Sequence, residues 1–411
     1  MSNLEYTLKE LPSLLPLGIR TNMTQNNLLL QSMGDTIEAF EKSVSLNNPY
    51  DNKFYKHMKV GRLNDFINTT SSGTKHISSL VDASYQGSRT EIEDGYIDAR
   101  TREFFEPDDV KTIDRFTSDN MLNLYQEYFT PTGRFSDLAF LNTIGPVGSR
   151  IKANTTRTLD YVYGYQSNEL RQQQKDISCN LIIIDIGKNS NITIEETFLS
   201  NPALKLYNIL YLVRDGSSLT LNRDFSPDTG AHVIESKVIQ FPNSNFTINS
   251  IGGRNPYCQE LIEVEIHDSC TTYINGRYHV EGDSINNVYT QLHHIGKSSL
   301  SRVDVKSVLE GNAHSSFRGE IVVDKSAEET DADLKNNNLL CSSKATAISE
   351  PQLDINTKEI QCAHGCTVSN IDAEQLYFLQ SRGISKQKAT NMLKESFLGL
   401  ILWIGKNNSL H

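Results

Sequence analysis

The sequence predicts a mainly β protein: a right-handed parallel β-helix (solenoid) flanked by N-terminal and C-terminal helical regions. Three observations predict it: a change of texture near residue 180, short strands recurring at constant spacing, and helical patterning near both termini. The expected boundaries are 1–90 for a mainly helical region, 91–365 for the solenoid core and 366–411 for a C-terminal helical domain. A chain of 411 residues is long for one compact core, so several domains or one elongated repetitive domain is expected.

At the N-terminal end, Leu28, Leu29, Met33, Ile37 and Phe40 recur near helical spacing. The following stretch is mixed: SSGTKHISS and YQGSRTEIEDG read as loops or short strands. SDNMLNLYQEYF reads as a helix started by Ser118 or Asp119.

Past residue 180, short alternating runs rich in Ile, Val, Thr and Tyr are broken by Gly, Asn, Asp or Ser, which is a strand signature. ITIEE begins at Ile192, LTLNR at Leu219, FTINS at Phe246, YINGR at Tyr273 and LSRVD at Leu300, so the starts recur at one constant spacing. Each follows a small polar turn: GKNSN, DGSS, PNSN, DSCTT and GKSS. A period made of turn plus strand suggests stacked coils whose backbone groups pair with the coils above and below, around a narrow inward core. An ordinary β-sandwich with coincidental spacing is the competing reading. Further coils follow in HSSFRGEIVV, LLCSSKATAI and PQLDI. A solenoid also needs its end coils covered, and the flanking helical segments are expected to supply that cover.

At the C-terminal end, Asp372 can cap a helix through AEQLYFL, Gly383 can close it, and Ser385 can cap a second helix through ATNMLKESFLGLILWI. The most apolar run, Phe397 to Ile404, falls far short of the ~20 residues that cross a bilayer. It reads as a helix face buried against protein.

Composition narrows the function. The formal charge is −11, from 39 basic and 50 acidic residues, which disfavours nucleic acid and anionic lipid as partners. The opening MSNLEYTLKELPSLL shows no secretory pattern, so a cytoplasmic location is expected. There the six cysteines would stay reduced, which favours metal or catalytic roles over a disulfide framework.

Within EIQCAHGC, Cys362, His364 and Cys366 stand at alternate positions of an expected strand and so share a face. Soft ligands in that pattern suit zinc, iron or an iron-sulfur cluster. A closed zinc site needs four ligands, and Cys341 is the only obvious further thiol nearby. Spacing alone leaves open a complete metal site, half a site completed by another chain, or plain packing. A Cys-His catalytic dyad lacks a third group to orient the imidazole.

Other motifs carry less. His293 and His294 are adjacent on a strand and face opposite ways, so they cannot share an ion without a bulge. GKSS at Gly296, Lys297 and Ser298 has Gln291 where a phosphate loop needs glycine, and GKNS at Gly187 has Asn189 where the hydroxyl should be. No nucleotide is expected to bind this chain. Glu195, Glu196 and Asp224 are the candidates if the solenoid were a carbohydrate-active enzyme, whose chemistry wants carboxylates on one outer face.

The C-terminal part carries a resemblance. Thr330-Asp331-Ala332, Asn338-Leu339-Leu340, Pro351, Cys362, His364-Gly365, Glu374 to Leu379 and Ser381 to Ile384 together resemble the SufBD family, the β-helical components of the SUF iron-sulfur cluster assembly machinery. Fainter agreement runs back through FRGEI, INGRY and IEETFLS to about residue 180, and the chain before that point matches poorly. The Cys-x-His-Gly element is similar to the SufD branch. The cysteine that SufB carries before its Leu-Leu pair is absent from NNNLL, Asn336 to Leu340.

The resemblance implies a noncatalytic scaffold or assembly subunit in a protein complex. It implies a heterodimer with a SufB-like paralogue through the β-helix, and a SufC-like ABC ATPase docked on the C-terminal helical domain. A homodimer is implied when the chain is isolated. A transient iron-sulfur cluster or iron would sit at the heteromeric interface on His364 and Cys362. Cys366 departs from the family's usual small residue, either as a third thiol near the site or as a packed side chain. The alternative within this reading is a self-associating scaffold that holds a cluster between two copies of the strand.

Overall fold

A computed structural model describes residues 89–93, 96–97, 109–113, 128, 147–163, 177–198, 204–225 and 230–399. Nearly all of the expected helical region at 1–90 and the run 400–404 lie outside the described residues. So does the expected helix near Ser118, apart from Tyr128.

Three short strands come first, β1 (Arg89–Glu93), β2 (Tyr96–Ile97) and β3 (Val110–Ile113). Then follow β4 (Val147–Ile151), β5 (Thr156–Tyr163), β6 (Ile177–Ile186), β7 (Asn191–Phe198), β8 (Leu204–Val213), β9 (Ser218–Phe225), β10 (Ala231–Gln240) and β11 (Asn245–Gly252). The series closes with β12 (Tyr257–Ile266), β13 (Thr271–Val280), β14 (Ile285–His294), β15 (Leu300–Leu309), β16 (His314–Val323), β17 (Thr330–Leu340), β18 (Thr346–Ile355) and β19 (Ile360–Asn370). From β4 onward each strand pairs in parallel with the strand two places on, so odd and even strands build two separate sheets. The fold is a parallel β-solenoid, as the sequence predicts.

The five polar turns all join an even strand to the next odd one. In each coil one turn residue is left-handed: Asn189, Gly216, Asn243, Ser269 and Ser298, with φ between 53° and 68°. Their N–H groups donate to the neighbouring coil, as from Asn189 to Asp215 O at 3.1 Å and from Asn243 to Asp268 O at 2.9 Å. Asn and Gly tolerate that backbone, which is the physical content of the small polar signature.

Register corrects the repeat. Ile192, Leu219 and Phe246 are in register, but Phe246 pairs with Thr272, Thr272 with Ser301 and Ser301 with Ala332. The coils are therefore unequal in length, and the two beyond Thr272 are the longest of the set. Because side chains alternate, a one-residue slip reverses the face. Tyr273, which the constant spacing of strand starts aligns with Phe246, is 40% exposed, whereas Thr272 is buried.

Inward residues form columns that run from coil to coil. One is Ile194, Leu221, Ile248, Ile274, Val303 and Leu334, all at most 2% exposed. Each such side chain contributes about 1.5–3 kcal/mol by leaving water. The next column holds Glu196 and Arg223, wholly buried. Arg223 pairs with Glu196 at 2.9 Å and with Glu260 at 3.0 Å. Tyr163 donates to Glu196 at 3.0 Å, and Tyr278 and Ser250 donate to Glu260 at 2.5 and 2.8 Å. Burial first, and the neighbouring carboxylates second, push the Tyr163 and Tyr278 phenols well above their usual range.

Two helices follow the last strand, α1 (Ala373–Ser381) and α2 (Lys386–Leu398). Asp372 caps α1 by accepting from Glu374 N, and Ser385 caps α2 by accepting from Lys388 N. Gly399, at φ 70°, closes α2 before the most apolar part of the run that the sequence assigned to it. The strand β19 continues through Cys366 to Asn370 before the helices begin. α2 leans on the solenoid flank through Leu398 against Val308 and Leu339, and α1 buries no residue. α2 thus rests beside β15 and β17, and the last described coil keeps an exposed face. No described helix is long and apolar enough to cross a membrane.

Candidate functional site

The inward columns end on β19. Ala332 pairs with Cys362, Leu334 with His364 and Asn336 with Cys366, so these three side chains are the last members of three core columns. Position by position, the terminal coil substitutes ligating side chains for the apolar and amide residues beneath. His364 stands above the Ile194 to Leu334 column at a position that no further described coil covers. Around Gly365 there is open space, and Ile355 and Val368 are 39% and 50% exposed.

Cys362 packs against the core edge, and burial, followed by the charges of Asp333 and Asp331, pushes its thiol up. Cys366 is half-buried and His364 exposed. Alternate residues of a strand lie about 6.6 Å apart. The three share a face without converging: among the described residues the one grouping of three ligand atoms within 4.8 Å is His279, Glu281 and Glu310. Cys341 packs instead with Val308, Leu339 and Leu398 under α2, and burial pushes its thiol up to about 11. The three side chains therefore stand along one face of the last described coil without forming a closed cluster among themselves.

His293 and His294 face opposite ways, as expected. His294 is buried with its ring nitrogens 2.7 and 2.9 Å from Ser299 and Ser301, and burial pushes its pKa down to about 4. His293 pairs outside with Asp324 at 3.0 Å. Gly296 to Ser299 form an interstrand turn in which Lys297 meets Glu328 at 3.4 Å. The carboxylates proposed for sugar chemistry are divided: Glu196 lies in the core, whereas Glu195 accepts from Asn222 at 2.7 Å and ends an amide ladder through Asn249 and Asn275 on the outer face.

Sequence reasoning missed the buried charges. Strand parity could have found Arg223, because Leu219, Leu221, Arg223 and Phe225 alternate on one face of β9 and all are buried.

The family described as "SUF system FeS cluster assembly, SufBD core domain" matches residues 169–397, more than half of the 411 residues. The chain belongs to the SufBD family. Among curated relatives, it is 38% identical over 108 residues to the iron-sulfur cluster assembly protein SufD of Escherichia coli, covering 26% of each chain. It is 25% identical over 258 residues to SufD of Bacillus subtilis, covering 59% of this chain and 55% of that one. A SufBD family protein of Synechocystis is 35% identical over 97 residues, 24% of this chain and 21% of the relative. The matches thus span between 21% and 55% of these relatives' lengths. Within the SufBD family, this chain is similar to SufD.

Proposed function

We propose that this SufBD family chain is a SufD-like assembly subunit whose terminal coil supplies one side of a transient iron-sulfur site. The observation that carries the reading is the register of β19: Cys362, His364 and Cys366 end three core columns at an uncovered coil. A row of unpaired backbone groups beside exposed apolar side chains is a surface for strand addition by another chain. A SufB-like paralogue pairing there would supply the missing ligands, and iron or the nascent cluster is the cargo. His364 leads in this reading because the Cys362 thiol is pushed up and must lose its proton to bind metal. Cys366 is a reserve ligand.

The exposed aromatic pair Tyr377 and Phe378 on α1, 73% and 57% exposed, supports the helices as the dock for a SufC-like ABC ATPase. That partner would supply the nucleotide chemistry, and this chain alone would be noncatalytic.

Coexpression with SufB-like and SufC-like chains tests the assignment. The expected outcome is one stable complex whose iron and acid-labile sulfide fall sharply with His364→Ala while the complex persists. Unchanged cluster content in that variant overturns the site. Stoichiometric iron and sulfide on a purified dimer of this chain alone would instead favour self-association.

A further inference from the structure

Away from the terminal coil, the solenoid edge groups one imidazole with two carboxylates. Glu281 and Glu310 directly follow β13 and β15, and the pairing of Val280 with Leu309 stacks them one coil apart. His279 is two residues before Glu281 and therefore on the same outward face. Its Nδ1 is 3.2 Å from Glu281 Oε1, and its Nε2 meets Glu310 Oε1. All three ligand atoms lie within 4.8 Å of one another.

A neutral imidazole has one N–H, so it cannot donate to both carboxylates. A cation on Nε2, either a proton or a metal ion shared with Glu310, satisfies both carboxylates and leaves Nδ1–H to donate to Glu281. With the metal ion this is the carboxylate–histidine–metal arrangement, in which the second carboxylate fixes the tautomer. Imidazole nitrogen with carboxylate oxygen suits zinc, manganese or ferrous iron. The position already attracts a cation: Lys394 of α2 is 2.7 Å from Glu310 Oε1, with its side chain only 12% exposed. That ion pair ties α2 to the edge of β15. Beside it stand the apolar contacts of Leu398 and Phe397 with Val308, Leu339 and Cys341, and Lys306 over the Phe397 ring at 5.9 Å.

We propose that His279 and Glu310, oriented by Glu281, take a divalent transition-metal ion in competition with Lys394, so that occupancy loosens α2 from the solenoid. The site shares no residue with the terminal coil.

The test titrates manganese chloride, whose ion binds thiols poorly, into the full chain carrying Cys362→Ser, His364→Ala and Cys366→Ser. Loss of the free-ion electron paramagnetic resonance signal reports binding, and hydrogen exchange over 386–398 reports α2. One ion per chain is expected, with affinity weakened roughly tenfold or more by His279→Ala or Glu310→Gln. Lys394→Met should tighten binding, because the competitor is gone, and the ion should speed exchange in 386–398 of the parent. No bound ion, equal affinity in His279→Ala, or no tightening in Lys394→Met overturns the proposal. Because the terminal-coil ligands are absent throughout, these outcomes leave the iron-sulfur reading to its own experiment.

Discussion

The middle coils and the terminal coil use the same inward columns for opposite ends. In β7 to β13 the columns hold Ile194, Leu221, Ile248 and Ile274, and beside them a charged cluster whose members are satisfied within the fold. On β19 the same columns end in Cys362, His364 and Cys366, which no further described coil covers. The difference teaches that a solenoid exposes an inward position simply by ceasing to stack.

The strongest way to break this comparison is to disturb the charged cluster. Arg223→Met strands Glu196 and Glu260 in the core and should cost about 3–5 kcal/mol in denaturant titration. Combining it with Glu196→Gln and Glu260→Gln should recover a good part of that loss. If Arg223→Met alone is nearly neutral, the middle coils do not depend on internal satisfaction.

Within one column, Ile248→Ala should destabilise by about 2–5 kcal/mol, whereas His364→Ala should change stability by less than about 0.5 kcal/mol. Equal thermal shifts would erase the distinction between covered and uncovered members.

Acid provides the next test. His294 is held neutral with a pKa of about 4, against 6.5 for the ordinary value. The unfolded chain takes up a proton as pH falls below 6.5 and the folded chain does not. Stability is therefore full above that pH and declines toward pH 4, by about 3 kcal/mol in total. A His294→Asn variant should lose this step in chemical denaturation measured between the two pH values.

The smallest effect sharpens the register. Tyr273→Thr, on the outer face, should stay within about 0.5 kcal/mol in thermal melts. A core-sized loss there would restore the constant repeat that the strand starts suggest.

Much of the fold was legible. Alternating strands, small polar turns and the caps Asp372 and Ser385 rest on local rules of backbone conformation and side-chain direction. The candidate site was legible as a pattern, since alternation puts Cys362, His364 and Cys366 on one face whatever the strand pairs with. That they share a face without converging was not legible, because it depends on what lies beneath and above β19. The cluster of His279, Glu281, Glu310 and Lys394 was equally hidden, because its members come from two coils and a helix.

By itself, the sequence determined the class of fold, the turn positions and the shared face of Cys362, His364 and Cys366, all of which follow from neighbours close along the chain. Tertiary structure alone decided the register, placing Thr272 and not Tyr273 in the core. The physical reason is that pairing between coils sums many backbone hydrogen bonds and buried contacts across a whole coil of chain. No local pattern can fix that length when the turns differ from coil to coil.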